Sequence, residues 1–282
     1  MFSILLALTS AVAYGASDFV GGLASRYSRA MSVVLIAYPV SFIIFAVAAP
    51  FVGQPIELTS LLWGAGSGIV MALATVWFYS AMAQGPMNVI SPLTAVIVTV
   101  LPVVVGLFLG EQLSTGAFIG VGLAVVAVLL VSREPQLPYP ATRPFTARIA
   151  WLTIGTGVGM ALSFIFTDQI PQGTGLWPLV AARGAASMAI IVAALSSKQL
   201  ALPPRTALVL ALMVGAFDVI ANGAMLFAFQ AGLLSIGSAL ISLYPAITIA
   251  LAMLVLREKT SLLQVVGLAL SASAILTISL TQ

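Results

Sequence analysis

Cysteine and histidine are both absent from this chain of 282 residues. Their absence excludes disulfide staples, thiolate or imidazole catalysis and ordinary zinc sites. Charge is nearly as scarce: Asp, Glu, Lys and Arg make up 6% of the residues, where soluble domains carry about 25%. Such a chain cannot surround itself with water. Its ten basic residues are scattered over several connections, so no patch for nucleic acid exists. No serine stands beside a plausible base, so the residues point to no enzyme, and none of them calls for a cofactor.

What is present is apolar. Hydrophobic residues make up 61% of the sequence, which makes the lipid bilayer its expected surroundings. There the backbone must close its hydrogen bonds as helices or as a complete barrel. A barrel would alternate apolar and polar residues over stretches of about ten. Here the apolar runs are about twice that length and rich in Ala, Leu and Gly, so the fold class is all-α and integral to the membrane. Ten segments are expected, at 3–24, 32–52, 60–83, 88–109, 115–132, 149–170, 177–196, 206–230, 236–256 and 262–280. The first lacks a basic leader and reads as a retained helix rather than a cleaved signal. Short turns such as Gln84 to Asn88 and Ala231 to Ser235 make successive helices antiparallel neighbours.

One connection differs. Residues 133–148 hold Pro135, Pro138, Pro140 and Pro144 among Arg133, Arg143 and Arg148, and so many prolines forbid a helix. It joins two units of five segments each, residues 1–132 and 149–282. Sliding the sequence by 147 positions superposes them: Gly68 on Gly215, Gly85 on Gly232, Ser91 on Ser238, Glu111 on Glu258, Ser114 on Ser261 and Gly120 on Gly267. Fifteen of the 65 positions from 68 to 132 match. The glutamate match weighs most in a chain with only seven acidic residues. An odd number of helices per unit makes the second enter the membrane from the opposite side, so the expected arrangement is ten transmembrane helices as two inverted five-helix repeats around a central cavity.

The loop charges agree. Nine of the ten basic residues follow odd-numbered segments: Arg26, Arg29, Arg133, Arg143, Arg148, Lys198, Arg205, Arg257 and Lys259. Positive loops favour the cytoplasm, which places both termini outside. Gly110-Glu111-Gln112 matches Arg257-Glu258-Lys259, so the same turn is basic only in the unit that would hold it inside.

These residues resemble the drug/metabolite transporter superfamily, and within it the EamA-type exporters. That family's units close on a proline, thirteen residues, a glutamate, a polar turn and a Gly-rich helix. The second unit supplies Pro245, Glu258, Ser261, Gln264 and Gly267; the first keeps Glu111, Ser114 and Gly120 but has Val98 where the proline would stand. The stretch Tyr14-Gly15-Ala16-Ser17-Asp18-Phe19-Val20 is similar to the family's Trp-Gly-Ser-Asn-Phe pattern, with Asp18 in the Asn place. The resemblance implies a ten-helix basket exporting amino acids or other small metabolites. It also implies cytoplasmic termini, against which the loop charges are taken as the guide.

Polar groups at bilayer depth cost about 2.5–3.5 kcal/mol for a mid-helix charge and need a reason. Asp218 lies near the middle of the eighth segment, with Asn222 one turn along the same face. They are expected to form a polar wall of the cavity that takes a substrate amine or a proton; a protonated Asp bonded to a neighbouring helix is the structural alternative. Asp168 and Arg183 flank the turn between the sixth and seventh segments, where an ion pair between them is expected as a structural clasp, or else as a gate or an anchor for a substrate carboxylate. Asp18 faces either the cavity or Arg26. Tyr14, Trp77, Tyr79 and Tyr244 lie away from helix ends, as substrate-lining aromatics or as packing. Pro92, Pro102 and Pro245 interrupt backbone bonding within the fourth and ninth segments.

The expected function is secondary transport of a small-molecule substrate, an amino acid first of all, out of the cell across its inner membrane. One half would rock against the other, the protein acting as a monomer or a weak homodimer. Multidrug or other metabolite efflux is the alternative within transport, and a membrane scaffold the alternative outside it.

Overall fold

The computed structural model describes residues 1–52, 56–132, 145–257 and 260–281, apart from the side chains of 87 and 88. Most of the linker, with Glu258 and Lys259, therefore lies outside the described residues. The described chain is helical: α1 Phe2–Ser25, α2 Ala30–Ala48, α3 Leu58–Gln84, α4 Met87–Phe108, α5 Thr115–Val131, α6 Ala147–Asp168, α7 Trp177–Ser196, α8 Arg205–Ala231, α9 Leu234–Ile241, α10 Tyr244–Leu256 and α11 Leu262–Thr281. α9 and α10 are parts of one apolar segment, Leu234–Leu256.

Among the described residues, nine segments are long and apolar enough to cross a membrane, and α5 is a shorter apolar helix of 17 residues. The chain is thus a multi-pass membrane protein. Its surface is inverted relative to a soluble domain, with Phe108, Leu280, Leu254 and Trp151 exposed, while serines, threonines and the charged pair described below are buried. Lipid tails do not drive helices together as water does, so close packing must. Gly64 and Gly68, one turn apart on α3, lie directly beneath the carbonyls of Pro178 and Ala182 on α7. A Cβ at either glycine would overlap those oxygens, so the two helices meet at backbone distance.

Every described α-helix packs chiefly against a helix from the other unit. α1 lies on α8, α2 on α8 and α7, α3 on α7 and α6, α4 on α6, and α5 on α11. The expectation that one sequence half rocks as a body against the other does not fit this interlocking. The contacts instead outline two mixed bundles, α1–α2–α8–α9–α10 and α3–α4–α6–α7, with α5 against α11 beside them. The 147-residue shift carries one bundle onto the other.

The first residue of the shared turn takes the same kind of conformation in both units. Gly110 and its counterpart Arg257 both take left-handed backbone conformations, with φ +91° and φ 54°. Only glycine does so freely; an L-residue there costs about 1 kcal/mol or more. α4 and its counterpart segment differ, however. α4 runs unbroken through Pro92 and Pro102, whereas the ninth segment breaks at Ser242 and Leu243, with Pro245 the second residue of the helix that follows. Of the three prolines expected to interrupt their helices, only Pro245 coincides with a break.

Candidate functional site

Asp218 sits midway along α8, thirteen residues from Arg205 and thirteen from Ala231, or ~20 Å from either end at 1.5 Å per residue. A carboxylate at that depth must be met by protein, and three side chains meet it. Arg183 donates from Nη2 to Oδ1 at 2.9 Å. Ser41 donates to Oδ2 at 2.6 Å and Asn222 donates to Oδ1 at 3.0 Å. Asn222 also donates to the Asp218 backbone carbonyl, 2.8 Å away, and accepts from the Tyr14 hydroxyl at 3.0 Å. The Arg183 guanidinium carbon stands 5.0 Å from the centre of the Tyr38 ring, a cation–π geometry. Tyr38 in turn reaches Thr75, 3.1 Å away. The Thr75 hydroxyl already donates to the Met71 carbonyl, so the Tyr38 hydroxyl is the donor.

Five helices contribute to this knot: α1, α2 and α8 from one bundle, α3 and α7 from the other. Arg183 to Asp218 and Tyr38 to Thr75 both cross between bundles. Arg183, Asp218 and Asn222 are 3%, 7% and 5% exposed, so the charges meet each other rather than water. The knot is packed shut where an open central cavity was expected. A cleft of about 370 Å³ opens elsewhere, lined by Phe2, Leu6, Gln172, Phe227 and Gln230 at the even-connection end. The Arg183 Nε is buried without an acceptor, which leaves one guanidinium donor of the pair unused.

The expected ion pair between Asp168 and Arg183 is corrected. Arg183 turns into the bundle toward the mid-depth carboxylate of Asp218, while Asp168 stays at the end of α6 and accepts from Gln169 at 3.0 Å. Sequence depth alone favours Asp168; burial decides otherwise, because Asp168 is half-buried near the helix end and Asp218 is buried at mid-depth.

Of the other expected residues, Tyr14 joins the knot directly and Tyr244 joins through it, its ring centroid 6.1 Å from that of Tyr14. Tyr79 lies in the cluster with Tyr38 and Val76. Asp18 is exposed, seven residues before the end of α1 at Ser25. That places it toward the end with the odd connections. Trp77 is not brought in: its ring covers Gly155 of α6.

Ser41, Tyr38 and Thr75 were not among the expected residues. Tyr38 and Ser41 are one turn apart in an otherwise apolar stretch of α2, the spacing that could have marked them.

At the even-connection end the bundles are joined by Glu111. Its Oε1 accepts from the Leu234 amide at 2.6 Å and its Oε2 from the Ser235 amide at 3.0 Å, so a carboxylate from the first unit caps the N-terminus of α9 in the second. Gly106 makes the room, since a Cβ there would overlap both the Glu111 carboxylate and the Ser235 hydroxyl.

Comparison with known proteins follows this geometry. The sequence matches the model of the EamA-like transporter family twice, over residues 1–133 and 147–280. A crystal structure of a protein shares the fold at TM-score 0.75 and 14% identity, covering 96% of this chain and 97% of the other. Among curated proteins nothing matches.

Proposed function

The chain belongs to the EamA-like transporter family, and from that premise we propose that it exports small zwitterionic metabolites, amino acids first of all, across the inner cell membrane by alternating access. The observation that carries the substrate class is the buried Arg183–Asp218 pair, 2.9 Å apart. An amino acid bears one carboxylate and one ammonium. It can part this pair, setting its carboxylate on Arg183 and its ammonium on Asp218, so that both buried charges remain neutralised at every step. A substrate with a single charge would strand one of them, a penalty of about 3–5 kcal/mol. The unused Nε of Arg183 offers a second donor for a bidentate grip on the incoming carboxylate. Tyr14, Tyr38, Tyr79 and Tyr244 enclose the site for the rest of the substrate.

Because the pair crosses between bundles, substrate that enters it also removes one of the ties between them. The even-connection mouth is held by Glu111 on α9, while Asp18 is exposed toward the odd end. With the basic connections in the cytoplasm, Glu111 is a clasp at the outward mouth, beside the cleft that opens there. The two inverted five-segment units supply two bundles of matching build, so the same closure can form at either mouth.

Flux of radiolabelled amino acids in proteoliposomes, with and without a pH gradient, tests the reading against Asp218→Asn. The expected result is flux in the wild type and its loss in the variant. No flux of any amino acid would overturn the substrate class.

A further inference from the structure

We infer that the break between α9 and α10 is a binding site for a monovalent cation, built from neutral oxygens beside the polar knot. It lies in the bilayer interior, eight residues into the 23-residue segment Leu234–Leu256, or ~12 Å from its start. Broken backbone at that depth is tolerated only where something satisfies it.

Here backbone acceptors are released. The Ile241 carbonyl would bond the amide of residue 245 in a continuous helix, and Pro245 has none. The Ser242 carbonyl loses its donor as well, because the Ala246 amide turns to Leu243 at 2.9 Å. The Ser242 hydroxyl has no hydrogen-bond partner, although the residue is 2% exposed. Two carbonyls and one hydroxyl thus lie together at the C-terminal, electronegative end of α9.

A second hydroxyl lies at the same depth. The Ser235 hydroxyl donates to the Val103 carbonyl at 3.3 Å, which fixes the register of α9 against the antiparallel α4. Seven residues further along α9, Ser242 falls level with residue 96. Thr94 is two residues from that level, ~3 Å along the axis. Its hydroxyl is likewise buried and unpartnered.

Unpartnered hydroxyls are not the habit of this protein. Thr75, Thr99, Thr153, Thr156 and Thr167 each return a hydrogen bond to the carbonyl four residues back. Thr94 and Ser242 depart from that pattern at one depth, on two helices that pack together. The break is no requirement of the scaffold either, because α4 carries Ala95 and Val98 at the matching positions and runs unbroken.

Uncharged hydroxyl and carbonyl oxygens suit a hard monovalent ion; a divalent ion would want carboxylates. Tyr244, the first residue of α10, touches Tyr14 and through it Asn222, so the ion would sit next to the substrate. Since Ser242 belongs to one bundle and Thr94 to the other, the ion would favour the arrangement that brings them together.

Binding of ²²Na⁺ to the purified protein tests this without reference to any substrate, with choline holding ionic strength constant. Saturable binding is expected in the wild type. Ser242→Ala and Thr94→Val should each raise the half-saturating sodium at least tenfold, and Thr94→Ser should restore it. Thermal unfolding of the same samples in choline separates loss of the site from loss of the fold. Absence of saturable ²²Na⁺ binding in the wild type, or unchanged binding in folded Ser242→Ala and Thr94→Val, would overturn the inference. Sodium binding without amino-acid flux would overturn the proposed function and leave this site standing.

Discussion

The two units share a chain path and divide the chemistry. Charge at the knot comes from the second unit, in Arg183 and Asp218; the hydroxyls that hold or cover it come from the first, in Tyr14, Tyr38, Ser41 and Thr75. The 147-residue shift sets Ile36 against Arg183 and Met71 against Asp218, so the first unit has apolar residues where the second has ions. Thr75 and Asn222 occupy matching positions and each receives a tyrosine hydroxyl, from Tyr38 and Tyr14. Duplication supplies the frame, while a buried ion pair needs only one copy. A second copy would double the desolvation penalty with no added function.

The comparison breaks most visibly at the charges. Asp218→Ala or Arg183→Ala alone leaves an uncompensated buried charge, and each should lower stability by about 3–5 kcal/mol in thermal unfolding of the detergent-solubilised protein. The double variant Arg183→Met with Asp218→Leu should recover most of that stability and no transport. If the double variant unfolds as readily as the singles, the knot is more than a compensated pair.

Next in size is the contrast between α4 and its broken counterpart. Val98→Pro transfers the second unit's proline into a continuous, buried stretch of α4 and should cost about 3 kcal/mol, while Pro245→Val costs less. Equal costs would show that helix four already tolerates a break.

Glu111 joins the units at one mouth. Glu111→Ala frees two amides at the start of α9 and should cost about 1.5–3 kcal/mol. A single cysteine introduced as Leu233→Cys, clean in a chain with none of its own, should be alkylated faster in that background. Unchanged labelling would remove Glu111 from the closure of that mouth.

The smallest effect concerns the shared turn. Gly110→Ala should lose about 1 kcal/mol and Arg257→Gly should gain a similar amount, because both positions are left-handed. Opposite shifts in unfolding temperature would sharpen the equivalence of the two turns.

Most of the frame was legible in the sequence, because bilayer physics leaves few options for an apolar chain and the ten segments stand within a few residues of the helices. The single-copy features were harder to read. Sequence depth pairs Arg183 with Asp168 because linear depth cannot tell which face of α7 looks inward. Ser41 and Tyr38 do not stand out in the sequence, because serine and tyrosine are common in membrane helices and show their role only when a partner is placed beside them. The break at Ser242 was foreshadowed by Pro245, but Pro92 and Pro102 carried the same signal into a helix that stays whole. The interlocking of the units follows from packing between segments far apart in sequence, where periodicity gives no guide.

The central claim is that one substrate parts one ion pair. Equilibrium binding of a radiolabelled amino acid to the purified protein, in competition with its decarboxylated amine and its deaminated acid, tests it most directly. The intact zwitterion should compete at least tenfold better than either analogue, and Asp218→Asn should abolish that preference. An analogue with only one charged end that binds as well as the amino acid would contradict the account.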